Sequence, residues 1–343
     1  MRRVLRVATK LSAYAYPAIL LVWCLSLYWV GERWWVTAAA LYAPRALLAL
    51  PLPFIAAALW ATGLRRLLWT QILAAALVLF PLMGFVMPWP SSSPKGRTLR
   101  LLSFNVDSAF SGAQGISEQI VATSPDVVLV EEAPPWDKAL ADGLRAHFPF
   151  VETSTQFIIA SKFPIESSTE PAKIPFYSRE RSPRFMRYVL RTPLGPAVVY
   201  CVHPLSPRGV LHINRFRGAF HQLLSGQLLT GDSEAEMESN ATLRALQVEA
   251  MALQAGHESL PVIIAGDTNL PGLSSTLRRT LASYEDGFSA ASWGFGYTYP
   301  TKHPFLRLDR VVVSEELRVV SFQVGCRGVS DHLCVVADIG GRQ

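Results

Sequence analysis

Charge is scarce in this chain, and cysteine scarcer. Only 17% of its residues are Asp, Glu, Lys or Arg while 50% are hydrophobic, which is too apolar for an average soluble protein. The four cysteines, Cys24, Cys201, Cys326 and Cys334, lack zinc-ligand spacing, so a structural zinc site is not expected. There is no Ser-centred nucleophile elbow and no Gly-rich phosphate loop, which argues against a serine hydrolase and a P-loop nucleotidase. No internal repeat is present, so no solenoid is expected.

What is present in excess is apolar residues, and they gather at the start. Leu11 to Val30 is uncharged and about as long as a bilayer-spanning helix needs. Ala46 to Gly63 is a second run, extendable back through Val36 to Pro44 if Arg45 is tolerated, and Leu67 to Trp89 is a third. A cleaved signal peptide accounts for only one of them. Residues 1–90 therefore predict a transmembrane anchor with spans at 11–30, 46–63 and 67–89. Arg2, Arg3, Arg6 and Lys10 before the first run, with Arg65 and Arg66 between the second and third, place the N-terminus in the cytoplasm. The catalytic part would then lie on the non-cytoplasmic side of the cytoplasmic membrane, although Lys95, Arg97 and Arg100 argue weakly the other way. Trp29, Trp34, Trp35 and Trp89 stand where interfacial anchors belong. The net charge of +6 is partly explained by these flanks and is weak evidence for nucleic acid.

A Pro/Ser linker, 91–97, separates the anchor from a globular part at 98–343. Strand-like runs cover Thr98 to Phe104, Asp126 to Val130, Tyr188 to Arg191, Ala197 to Val202, Val262 to Ala265, Arg310 to Val313 and Cys334 to Asp338. Phe157 to Ala160 with Phe163 to Ile165 reads as a hairpin-like pair. Helices are expected around Ile116 to Ala122 and over Phe216 to Leu229, and Asn240 suits the cap of another through about Ala255. Several strands with few long helices suggest packed sheets flanked by helices.

Most of these strands abut a polar residue. Asn105, Asp107, Glu132, His203, Asp267, Asn269, Asp309, Asp331 and His332 all sit beside β-like runs, where such side chains are out of place unless paired or functional. At Val262 to Asn269, Gly266 would let the chain turn sharply as the strand stops, with Asp267 and Asn269 pointing the same way. Gly, Asp and Asn are also ordinary turn residues. Carboxylates with amides favour a hard cation such as Mg²⁺ or Mn²⁺, and the two histidines suit proton transfer or oxyanion binding. Metal-assisted attack of water on a phosphorus ester is the chemistry such a set suits.

The motifs Ser103 to Asp107, Pro125 to Glu132, Val202-His203-Pro204, Gly266 to Asn269, Leu308-Asp309-Arg310 and Ser330-Asp331-His332 occur in the order found in the endonuclease/exonuclease/phosphatase superfamily. Over residues 98 to 340 the chain resembles a membrane-anchored bacterial member of that group. The resemblance implies a four-layer α/β sandwich of two packed β-sheets flanked by helices. It implies Glu132 as the metal-binding carboxylate, with Asn105 in the metal or phosphate shell and Asp107 and Asp331 as further metal-site acids. Asp267 matches the residue that orients or deprotonates water, with Asn269 beside it. His332, held by Asp309, resembles the histidine on the scissile phosphate, and His203 that assigned to leaving-group protonation or phosphate binding. Glu131 stands where a Gln is usual and leaves a register choice with Glu132, in which spacing from Asp126 favours Glu132. Thr268 replaces the usual Phe. Arg179, Arg181, Arg184 and Arg187 form a basic run, either a solvated loop or, through Arg184 and Arg187, a clamp for substrate phosphate.

The reading is a membrane-anchored, Mg²⁺- or Mn²⁺-dependent phosphoesterase, most simply a phosphodiesterase, acting on nucleic acid or a phospholipid headgroup. A non-catalytic binding or scaffold protein on the same fold is the alternative.

Overall fold

The computed structural model describes residues 2–87, 96–136, 138–171, 184–208 and 231–342. Most of the linker, Arg179, Arg181 and the helix expected at Phe216 to Leu229 lie outside them.

Two six-stranded sheets pack face to face. The first has the order β11–β12–β1–β2–β4–β3, from β1 (Thr98–Asn105), β2 (Val127–Glu131), β3 (Phe150–Ser154), β4 (Phe157–Ser161), β11 (Leu317–Gly325) and β12 (Cys334–Gly341). The second runs β5–β6–β7–β8–β10–β9, from β5 (Ile165–Thr169), β6 (Phe185–Thr192), β7 (Gly195–Val202), β8 (Val262–Asp267), β9 (Glu285–Asp286) and β10 (Asp309–Val313). Each sheet has one parallel pair, β1 with β2 and β7 with β8.

The period-2 alternation of the strands builds the layers. Leu99, Leu101, Val127, Leu129, Val199, Cys201, Ile263 and Ala265 point between the sheets into one buried core. Their neighbours Leu102, Phe104, Val128 and Val130 face Ile116, Ile120, Leu140 and Leu144, from helices α5 (Ala113–Ala122) and α6 (Ala139–Arg145). On the other outer face, Val198, Tyr200, Val262 and Ile264 meet Val248, Met251 and Ala255 of α7 (Gly231–Ala255). Burying each such aliphatic side chain contributes about 1.5–3 kcal/mol.

Three local expectations are corrected. Phe157 to Ala160 and Phe163 to Ile165 do not pair: β4 pairs with β3 and β2, whereas β5 pairs with β6 of the opposite sheet. Between them Lys162 N donates to Asp126 O and Pro164 O accepts from Arg191 N, so the chain crosses from one sheet to the other. Asn240 lies inside a single helix starting at Gly231. Its amide donates to Ser206 O and accepts from Arg244, which ties the helix to the segment after β7. Gly266 belongs to β8, opposite Val202, and makes no turn. A Cβ there would meet Val202 O at 2.1 Å, so glycine is required by close approach of two backbones.

The N-terminal residues are helical. Helix α1 (Arg2–Trp29) and the segment Arg65–Leu82, which includes α4 (Leu68–Leu77), are long and apolar enough to cross a membrane. The second apolar run instead forms α2 (Trp35–Leu41) and a helical segment, Arg45–Ala61, bent by 94°, the latter containing α3 (Pro51–Ala61). Pro44 withholds an amide and disfavours helix in the residue before it. Arg45 steadies the break by donating to Leu41 O and Leu82 O. The third run leaves helix at Leu82, past Pro81, and Val86 then pairs with Gly294.

These helices dock on the sandwich. Leu20, Cys24, Leu27, Leu41, Val78 and Leu82 share a buried core with Leu273, Tyr299, Leu306 and Leu308. Tyr42 Oη donates to Asn269 O at 2.7 Å. Glu32, 8% exposed, accepts from Ser274 Oγ and from Ser275 N and Oγ, at the start of α8 (Ser275–Leu281).

Candidate active site

The site is the last layer of the interface between the sheets. Along the inward-facing set, apolar residues give way to Ser103 and Asn105 on β1, Glu131 on β2, Cys201 on β7 with His203 just after it, Asp267 on β8 and Asp309 on β10. The parallel pairs β1/β2 and β7/β8 end at this edge and so aim four catalytic candidates at one place.

Glu131 and Glu132 illustrate how. Alternation sends Glu131 into the core, where it is fully buried, accepting from Ser103 Oγ at 3.0 Å and Cys201 Sγ at 3.3 Å. Burial, with Asp309 and Asp267 nearby, pushes its carboxyl well above the usual range. Glu132 would face outward, but its φ of 54° re-aims it towards Asn105 and His203. Left-handed backbone is unfavourable for such a residue, and strain of this kind gathers at functional sites. Asp107 and Asn269 share it, with φ of 46° and 49°.

Asn105 Nδ2 donates to Glu132 Oε1 at 3.0 Å and Asp267 Oδ2 at 3.1 Å, holding the two carboxylates together, while its Oδ1 accepts from Asp107 N. His203 places Nδ1 2.6 Å from Gln156 Oε1 and Nε2 3.0 Å from Glu132 Oε1 and 3.9 Å from Asp267 Oδ2. His332 places Nδ1 2.8 Å from Asp309 Oδ2 and Nε2 3.6 Å from Asp267 Oδ2. Asn269 turns away from Asp267: its Nδ2 donates to Pro204 O and its amide N–H to Asp267 Oδ1. It braces the loop instead of lining up with the carboxylate.

Electrostatics follow from this crowding. Burial works against charge on Glu132, but His203, Arg208 and Asn105 outweigh it and hold the carboxyl well below the usual range. Burial also opposes a charge on His332, but Asp309, Asp267 and Asp331 raise its pKa to about 10. Arg208 Nη2 lies 2.7 Å from Nε2 of the same ring. A guanidinium can only donate, so this contact competes with the proton that the surrounding carboxylates favour on Nε2. Asp107 and Asp331 flank Arg208, at 3.9 Å and 3.2 Å, and burial pushes both carboxyls up.

The donor set fits a hard divalent cation. The buried Nε2 of His203 has no hydrogen-bond partner and lies 3.0 Å from Glu132 Oε1, so a proton or a cation between them would join the two. Glu132, His203 and Asp267 each offer a ligand atom within 4.8 Å of the others, as do Asp267, Asp309 and His332.

Three residues at the site carry no signal in the sequence. Arg208 follows His203 by five residues without a motif, and Gln156 sits on the β3–β4 turn. Tyr299, whose ring centroid is 4.7 Å from that of His332, carries no sequence signal either. The arginine expectation is half corrected. Arg187 is bound by Glu258 at 2.6 and 2.8 Å, which also accepts from Tyr200 Oη. That pairing on the α7 side of β6 occupies its guanidinium. Arg184 O accepts from His203 N, so its backbone adjoins the site. The side chains of Asn105, Glu132, His203, Asp267, Asp309 and His332 converge.

A family model described as endonuclease/exonuclease/phosphatase family matches residues 102–332. No curated protein matches this chain. Among solved structures, a 3′ phosphatase from Neisseria bound to product DNA hairpin is 13% identical, covering 71% of this chain and 100% of that one at a TM-score of 0.51. A protein of unknown function from Enterococcus faecalis is 12% identical, with 71% and 100% covered at 0.51. An endonuclease/exonuclease/phosphatase from Beutenbergia cavernae is 19% identical, with 71% and 72% covered at 0.48.

Proposed function

The chain belongs to the endonuclease/exonuclease/phosphatase family, and on that premise we propose that it is a divalent-metal-dependent phosphoesterase held to a membrane by its N-terminal helices. The observation that carries this is the convergence of two carboxylate–imidazole groups sharing Asp267 at one end of the sandwich. Basic flanks before the first helix support a cytoplasmic N-terminus and a non-cytoplasmic catalytic part.

Mg²⁺ or Mn²⁺, held by Glu132 with His203 and Asp267 beside it, would supply Lewis-acid stabilisation of phosphoryl charge. Asp267, fixed by Asn105 and the Asn269 amide, accepts a proton from the attacking water. As the new oxygen–phosphorus bond forms, the bond to the leaving oxygen breaks, and His203 is placed to return a proton to that oxygen. Arg208 binds the phosphate. Its movement from His332 Nε2 onto the anion frees that nitrogen, and the surrounding carboxylates then favour a second proton there, directed at a phosphoryl oxygen. Asp107 and Asp331 hold Arg208 in reserve.

The test is hydrolysis of bis(p-nitrophenyl) phosphate by the full chain in detergent with Mg²⁺, Mn²⁺ or chelator. Turnover is expected only with metal, and Asp267→Ala should lower it by on the order of 10²–10⁴-fold. Turnover unaffected by chelator or by Asp267→Ala would refute the assignment.

A further inference from the structure

We propose that the phosphoester this site takes is carried by a membrane amphiphile and presented at the bilayer surface; this rests on the phosphoesterase reading above.

The first ground is where the apolar helices dock. Residues Asn269 to Arg278 leave the C-terminal end of β8, and Trp293 to Leu308 lead into β10, so both segments lie at the edge that carries Asp267 and Asp309. The helices meet these same segments: Tyr42 at Asn269, Glu32 at Ser274 and Ser275, and the Tyr28 carbonyl and ring at Arg278. Tyr299 belongs at once to the core shared with the helices and to the wall of the site against His332. The reacting edge is thus the edge turned to the membrane-crossing segments. The seam is not fully closed: a cavity of about 190 Å³ lies between Phe80 and Phe85 on one side and Phe295, Tyr297 and Phe305 on the other.

The second ground is the rim. Phe110, 84% exposed, follows Asp107 by three residues, and Trp136, 80% exposed, follows Glu132 by four. Trp293, 75% exposed, lies against Phe85 just beyond the third apolar segment. These are the most exposed large apolar side chains among the described residues of the globular part; Phe110 and Trp136 follow site residues in the chain, and Trp293 adjoins the third apolar segment. Bare aromatics of this kind suit the interfacial belt, where the ring sits among headgroups. A nucleic-acid backbone would call for a basic track, whereas the described residues facing the site are mostly carboxylates, with Arg208 held among them. Seated on a bilayer, the rim would bring a headgroup phosphate to the mouth while its acyl chains stay in the membrane.

The experiment places the full chain in phosphatidylcholine nanodiscs carrying phosphatidylglycerol, phosphatidylethanolamine or phosphatidic acid, with Mg²⁺. Phosphorus NMR follows the lipids, and parallel samples contain bis(p-nitrophenyl) phosphate or a single-stranded oligodeoxynucleotide. Lipid turnover lost in Asp267→Ala is expected, with faster release from lipid than from oligonucleotide. The double variant Phe110→Ser/Trp136→Ser should lower the ratio of lipid to soluble-diester turnover at least about tenfold, since both rings lose their apolar contact. Because both side chains lie in water in the absence of a bilayer, folding is not at stake. Soluble-diester turnover without lipid turnover overturns this inference and leaves the phosphoesterase standing. No turnover of any of them overturns both. Faster cleavage of the oligonucleotide, or a ratio unmoved by the double variant, overturns the lipid assignment alone.

Discussion

A single carboxyl, Glu131, shows how finely residue position decides chemistry here. It differs from Glu132 by one place, yet one is a buried acid whose surroundings oppose its charge and the other a candidate ligand whose surroundings favour it. The raised pKa of Glu131 has a consequence for stability. A folded-state pKa above the unfolded value means that the folded chain binds the proton more tightly. The contribution is therefore fullest below the unfolded glutamate pKa of about 4.3 and is lost as pH rises towards the folded value. Its Oε2 also lacks a hydrogen-bond partner. Glu131→Gln should thus raise stability by about 1–3 kcal/mol near neutrality, with the gain shrinking as pH falls. Urea midpoints measured across pH would show it, and an equal gain at every pH would contradict the account. At this scale much was legible in the sequence, because a polar side chain on a β-run announces itself. Arg208, Gln156 and Tyr299 were not, because each reaches the cluster from a loop whose path only the fold determines.

Elements were read best where both faces of a strand are buried, as in β2 and β8, whose apolar runs are continuous. They were read worst where pairing is long-range. The alternation of β11 passed unnoticed, and β4 and β5 were joined because they are adjacent in sequence although they belong to opposite sheets. Gly266 was credited with a turn because turn chemistry is local information, whereas its true neighbour, Val202, is distant in the chain. The same blindness hid the contacts between α2 and the catalytic loop. Tyr42→Phe leaves the Asn269 carbonyl buried without that donor, which costs about 1–3 kcal/mol. Glu32→Ala removes the acceptor for three donors at the start of α8 and should cost more than Glu32→Gln. Thermal midpoints and soluble-diester turnover of the full-length variants provide the check. If Tyr42→Phe lowers the midpoint without slowing turnover, the contact is structural alone.

For the molecule as a whole, the apolar helices form a third wall of the catalytic part. A chain beginning at Ser91 would present Leu273, Tyr299, Leu306 and Leu308 to water, each under 10% exposed in the full chain. Withdrawing such a side chain from water contributes about 1.5–3 kcal/mol, so the truncated domain should melt lower and turn over more slowly than the full chain. Equal melting and equal turnover would reduce the helices to a tether. Apolar run length made the helices legible, but the 94° break in the second run was not, because Arg45 steadies it through the carbonyls of Leu41 and Leu82.

The covalent bond between Cys326 and Cys334, eight residues apart, encloses Ser330, Asp331 and His332. Within that ring Ser330 Oγ donates to Asn105 O and accepts from His332 N, so the crosslink tethers the loop that delivers the histidine. Closing so short a loop contributes about 2–3 kcal/mol, all of it local to that histidine. Such bonds do not persist in a reducing cytoplasm. On the non-cytoplasmic placement proposed above, the chain would acquire its last fixed residue only in an oxidising space. Turnover should fall on treatment with a membrane-permeant thiol and return on reoxidation, whereas Cys326→Ser/Cys334→Ser should be slow and indifferent to both. The ring would in that setting act as a clock, set at synthesis and started by oxidation.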